Sequence, residues 1–209
     1  MLSTRRLAAG AALGGALVLW IIHSPEPASR LAARQSSLEK KLASEEIRID
    51  PAEVLELSYN PAARLKLLDL RDENEYNLFH IAGSRRVGLE ALACGDLPPL
   101  SRDDRVVVVS NGEGRAAKAW LLLSAAGFEK VYILAGGIHG WLKAFAGPGV
   151  FDEGMPKCPF DDCRRYRFDA ALGDRHPAAD PDPEVLTGRT FPRKIELKTP
   201  RKRVSGSCG

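Results

Sequence analysis

The sequence predicts an α/β domain built on a central parallel sheet flanked by helices, and three observations predict it. Short apolar runs, such as Arg105 to Val109, alternate with stretches of helix formers between about Ile47 and Phe145. Turn and cap residues fall where each run must change direction. The composition, 44% hydrophobic with 27% charged, is that of a folded globule, which excludes a chain that is disordered or lipid-embedded throughout. At 209 residues there is room for one domain of ordinary size plus extensions.

The elements are taken in chain order. A short strand precedes Pro51, which suits the first turn of a helix running through Leu57. Leu65 to Leu70 reads as a buried strand, and Asp72 with Glu75 three positions on forms a capping box opening the next helix. Ser84 to Val87 is a short strand. Arg105 to Val109, after the Asp103-Asp104 turn, is the central strand. Arg115 to Ala126 is a helix stopped by Gly127, with Phe128 placed for the apolar contact of a C-cap. Val131 to Leu134 is the last strand, and Gly136-Gly137 turn the chain into a helix carrying Trp141, read as a core residue.

The flanks are of a different character. Arg5 and Arg6 precede an uninterrupted apolar run from Leu7 to Ile22. As a helix it would span about 24 Å, somewhat short of a ~30 Å hydrocarbon core. It is also slightly long for the apolar part of a secretory signal. The exit, Ile22-His23-Ser24-Pro25-Glu26-Pro27, suits cleavage poorly. Residues 1–27 therefore read as an uncleaved membrane anchor, with export after signal cleavage as the alternative. The paired arginines place the N-terminus inside and the domain on the periplasmic or extracytoplasmic side. Gly10 and Gly14 make a G-x-x-x-G pair suited to weak self-association of anchors. Residues 28–46 read as a helical spacer, 47–147 as the domain, and 148–209 as a loosely ordered tail rich in proline and charge. That tail holds too few apolar residues for a second core.

The net charge of +3 says little about the domain. The basic residues that crowd the C-terminus, among them Arg189, Arg193, Lys198 and Arg201, read as a solvated end, and no nucleic acid is expected. Four cysteines are too few for a disulfide scaffold. Cys158 and Cys163, in a C-x4-C spacing, suit a local disulfide in an oxidising compartment. A zinc site would need two more ligands that are not spaced for it, so neither metal nor cofactor is expected. Cys94 reads as a small structural thiol, and Cys208 has no assigned role.

Chemistry is expected in the loop Ser110-Asn111-Gly112-Glu113-Gly114-Arg115, between the central strand and the next helix. A glycine-containing turn entering a helix aims several backbone N–H groups at one point, adding the positive end of the helix dipole. Such a cradle holds an anion and activates a thiol placed at its first residue. It also lies beyond the carboxyl end of a strand, where open α/β sheets bind ligands.

Four ordered stretches, covering about Ile47 to Phe145, resemble the rhodanese family. The loop has the spacing of that family's C-x-x-x-x-R. Asp69-Leu70-Arg71 followed by Glu75-Tyr76 looks like its D-x-R…E-[YF] segment, and His80-Ile81-Ala82-Gly83 like its H-I-x-G, with Phe79 where glycine is usual. Leu134-Ala135-Gly136-Gly137 through Trp141 matches its closing L-x-G-G-x-x-x-W. The resemblance implies a rhodanese-like fold in which the nucleophile position, a persulfide-forming cysteine in the family, is Ser110. Serine forms no persulfide, and its hydroxyl is a poor nucleophile without an adjacent base.

The function this implies is that of an inactive module that binds a protein or a small anion. The alternative is a sulfurtransferase working through Cys94. Unless an exposed Glu113 swings away, it is expected to oppose an anion in the cradle, since like charges ~4 Å apart repel by about 4 kcal/mol at an effective dielectric of 20. Asp69 and Arg71 read as structural supports, the carboxylate satisfying loop amides and the arginine pairing with acids such as Glu75. His80 reads as filling a turn.

Overall fold

The computed structural model describes residues 36–147, 149–151 and 162–197. The chain divides into two units, Met1–Ala43 and Ser44–Gly209. Of the first, residues 36–43 are described, and they form a helix within the expected spacer. The apolar run 7–22, with Gly10 and Gly14, lies outside the described residues, as do Cys158 and Cys208. Among the described residues no helix is long and apolar enough to cross a membrane.

The second unit is a five-stranded sheet: β1 (Arg48–Ile49), β2 (Leu65–Asp69), β3 (Arg85–Arg86), β4 (Arg105–Val109) and β5 (Val131–Leu134). Every pairing is parallel and the order is β1-β5-β4-β2-β3, so β4 is the middle strand. Its residues from Val106 to Val109 are wholly buried, as a strand covered on both faces requires. Between the strands run α1 (Pro51–Ser58), α2 (Glu73–Leu78), α3 (Leu89–Ala93) and α4 (Gly114–Ala125), and α5 (Gly137–Phe145) comes after β5. Val107 and Val109 pack with α1 and α5, while α4 buries Ala116, Ala119, Trp120 and Leu123.

Local signals decide most boundaries. Asp50 caps α1 by accepting from Ala52 N, with Pro51 in the first turn. Asp72 accepts from Glu75 N to start α2. The end of α4 is a Schellman motif: Gly127 stands at φ +89°, its N–H reaches Ser124 O, and Phe128 N reaches Leu123 O. The helix α3 answers no expectation from the sequence; at five residues it is too short to show a period.

One expectation is overturned. Residues 162–197 are not a loosely ordered tail. They wrap the domain and complete the apolar cluster on the α1 and α5 face of the sheet, contributing Tyr166, Ala178, Ala179 and Ile195 to it. Composition misleads here because the segment needs no core of its own. It donates isolated apolar residues and ties its backbone down bond by bond. His80 N donates to Gly173 O, Ala82 N to Ala179 O, and Trp141 Nε1 to Ala178 O at 2.6 Å. The carboxylate of Glu53, itself buried, accepts from Lys194 N and Ile195 N.

Candidate functional site

The carboxyl edge of the sheet brings three turns together: Asp69-Leu70-Arg71 after β2, the Ser110 loop after β4, and Gly136-Gly137 after β5. The last turn carries the loop on its back. Ile138 N donates to Ser110 O at 2.9 Å and His139 N to Asn111 O at 3.1 Å. Gly137 sits at φ +58°, and a side chain there would drive its Cβ into the carbonyl oxygens of Ser110, Asn111 and Gly112. Only glycine meets both demands.

Ser110 is fully buried. Its hydroxyl donates to Gly112 O at 3.1 Å and accepts from Ala116 N at 3.3 Å. The hydroxyl proton is thus committed to a carbonyl rather than to a base. The two histidines nearest in sequence are engaged elsewhere. His80 Nδ1 is 2.8 Å from Tyr76 O and its ring stacks on Tyr76, so it does fill a turn. His139 Nε2 accepts from Arg165 N.

The anion cradle exists, and it is occupied by the chain itself. Glu113, the residue before α4, makes no cap with its side chain. Asp162 supplies the missing carboxylate: Oδ1 accepts from Gly112 N at 3.1 Å and Oδ2 from Arg115 N at 2.8 Å. These are donors that a helix start leaves without intrahelical partners. With Ala116 N on Ser110, the first turn of α4 is capped from its own leading loop and from a distant segment of the chain.

Glu113 takes the second course that the sequence left open and does not face into the cradle. Its carboxylate turns away, pairing with Arg48 at 2.8 Å and accepting from Gly136 N at 2.9 Å. Arg71 pairs with an acid, Asp69 rather than the Glu75 carboxylate, both side chains being fully buried. Burial alone would push its guanidinium down, and Asp69 beside it outweighs that and holds it above its ordinary value. Asp69 also accepts from the Arg71 N–H, so it does satisfy a loop amide.

From Arg71 a polar chain runs across the site. Its Nη2 donates to Phe79 O, and its Nη1 to the Tyr166 hydroxyl at 2.5 Å. That hydroxyl donates to Asn111 Oδ1 at 3.1 Å, and Asn111 Nδ2 donates to Glu75 Oε1 at 2.6 Å. Glu75 in turn faces Arg115 at 3.6 Å. Burial pushes the Tyr166 phenol up to about 12, with Arg71 opposing. The sequence offered no signal for Asp162 or Tyr166, because both lie far downstream of the motifs in a segment without periodicity.

Cys163, next to Asp162, is disulfide-bonded, and its partner lies outside the described residues. Cys94 is a free, exposed thiol at the C-terminal end of α3. Among the described residues no group of histidine, cysteine and carboxylate side chains is arranged to hold a metal ion.

A family model described as "Rhodanese-like domain" matches residues 50–144. The chain is 34% identical over 103 residues to the thiosulfate sulfurtransferase GlpE of Ectopseudomonas mendocina, a match covering 49% of this chain and 90% of that protein. It is 32% identical over 81 residues to the probable adenylyltransferase/sulfurtransferase MoeZ of Mycobacterium tuberculosis, covering 38% of this chain. The chain spans about a fifth (21%) of that relative's length. Among solved structures, an NAD-dependent persulfide reductase from A. fulgidus aligns at 34% identity with a TM-score of 0.33, over 37% of this chain and 14% of that one.

Proposed function

Because this chain belongs to the rhodanese-like domain family, we propose that it is a membrane-tethered member without cysteine-based sulfur transfer, acting as a binding or regulatory module for a protein or a small anion. The observation that carries the reading is the cradle. Its first residue is a serine whose hydroxyl is spent on helix capping, and its amides hold Asp162. A persulfide cannot be built on Ser110, and a sulfur-donor anion would meet a resident carboxylate. The tether is residues 7–22 and the domain's side is extracytoplasmic; the support for both is the apolar run and the arginines before it.

The test is a thiosulfate:cyanide sulfurtransferase assay on the full chain in mild detergent. The unmodified protein and Ser110→Cys are expected to be inactive, and Ser110→Cys combined with Asp162→Ala to turn over. Turnover by the unmodified protein that disappears in Cys94→Ala would instead establish a sulfurtransferase using that exposed thiol.

A further inference from the structure

The Asp162 contact has the form of a bound ligand. Its two oxygens divide between two amides of one loop, Gly112 N at 3.1 Å and Arg115 N at 2.8 Å, and its Oδ2 stands 3.8 Å from Arg115 Nε. Asp162 is also held in place from its neighbours. Cys163 is locked in a disulfide, Arg165 N donates to His139 Nε2, and Tyr166 is anchored to Arg71 and Asn111. The donor count explains why the site would otherwise want an anion. Asp69 neutralises Arg71 and Glu75 faces Arg115, so removing Asp162 leaves the amides of Gly112 and Arg115 without an acceptor.

We propose that residues 162–166 form a redox-released plug. While Cys163 is in its disulfide, Asp162 occupies the cradle; reduction of that disulfide by a dithiol lets Asp162 leave and opens the cradle to a small inorganic oxyanion. The exchange balances. The dithiol gives two electrons and two protons, the S–S bond at Cys163 breaks, two thiols form on the protein, and the reductant closes into its own disulfide. In the oxidised chain the tethered carboxylate competes at an effective concentration of about millimolar or more, which a free oxyanion at similar concentration does not displace. The proposal rests on the reading of this loop as an anion cradle without its nucleophile.

The experiment titrates sulfate into the full chain in detergent and follows the amide resonances of Gly112 and Arg115. The oxidised protein is expected to show no saturable shift. The dithiol-reduced protein, the Cys163→Ser variant and the oxidised Asp162→Ala variant are each expected to bind at least about tenfold more tightly. Asp162→Ala touches no core residue and keeps the disulfide, so it tests the plug even where losing the disulfide unfolds the strap. Equal sulfate affinity in oxidised and reduced protein, or no gain in Asp162→Ala, would overturn the plug. Sulfate reports the plug and cyanide-dependent turnover reports chemistry at position 110, so the two readings fail separately.

Discussion

Replacing Tyr166 by phenylalanine removes one oxygen from the centre of the site and leaves the rest of the ring. The ring is fully buried, tilted against Phe168 and edge-on to His139, contacts that phenylalanine keeps. What goes is the acceptor for Arg71 Nη1 and the donor to Asn111 Oδ1. A bond from a charged donor contributes about 1.5–3 kcal/mol and a neutral one about 0.5–1.5, so the expected loss near neutral pH is about 3 kcal/mol.

The pH dependence sharpens this. An unfolded tyrosine loses its proton near pH 10, whereas the buried phenol is pushed up to about 12. Its contribution is therefore fully present below about pH 10 and is lost as pH rises through about 12. Two pH units make that loss about 3 kcal/mol, an effect of burial that adds to the loss of the two bonds. Urea unfolding of both proteins between about pH 8 and 11.5 should show a stability gap of about 3 kcal/mol that narrows with alkali. A gap below about 0.5 kcal/mol near pH 8, or one that stays constant into alkali, would refute the assignment of Tyr166 as the bridge between Arg71 and the loop.

Three further outcomes test the frame around it. Gly137→Ala adds a Cβ against three loop carbonyls at a positive φ; a loss of more than about 3 kcal/mol in thermal unfolding, or no folded protein, is expected. Asp69→Ala strands the buried Arg71 guanidinium and should cost about 3–5 kcal/mol by urea titration, with Asp69→Glu recovering part of it. Glu53→Ala leaves Lys194 N and Ile195 N without their carboxylate. Trypsin should then cut after Arg193 and Lys194 well before the sheet unfolds, while the unmodified chain resists.

The sequence was most readable where a local rule sets the structure. Asp50-Pro51, Asp72 and Gly127-Phe128 fix helix ends through contacts within a few residues, and Arg105–Val109 can only be a strand buried on both faces. Even so, Glu75 shows how a local signature can be right about the helix and wrong about the side chain. Asp72 caps Glu75 N as expected, but the Glu75 carboxylate reaches for Asn111 and Arg115 instead of closing the box. The strap was unreadable for a different reason. Tyr166, Ala178 and Ile195 are spaced irregularly, and each fits a gap in a core already made by other elements, so no period betrays them. Glu113 was misplaced because Arg48, its partner, is 65 residues away along the chain.

The serine at position 110 takes its meaning from these distant partners. A helix N-terminus buried at a sheet edge must give its free N–H groups to something. Here Ala116 N goes to the Ser110 hydroxyl, while Gly112 N and Arg115 N go to Asp162. A thiol is a weaker acceptor than a hydroxyl, so serine is the better residue for that first duty and the worse one for sulfur chemistry. The carboxylate obeys the same logic, since the amides of Gly112 and Arg115 would cost free energy if left unsatisfied. Ser110 and residues 162–166 are two parts of one arrangement, in which the donors at the start of α4 take their partners from within the chain.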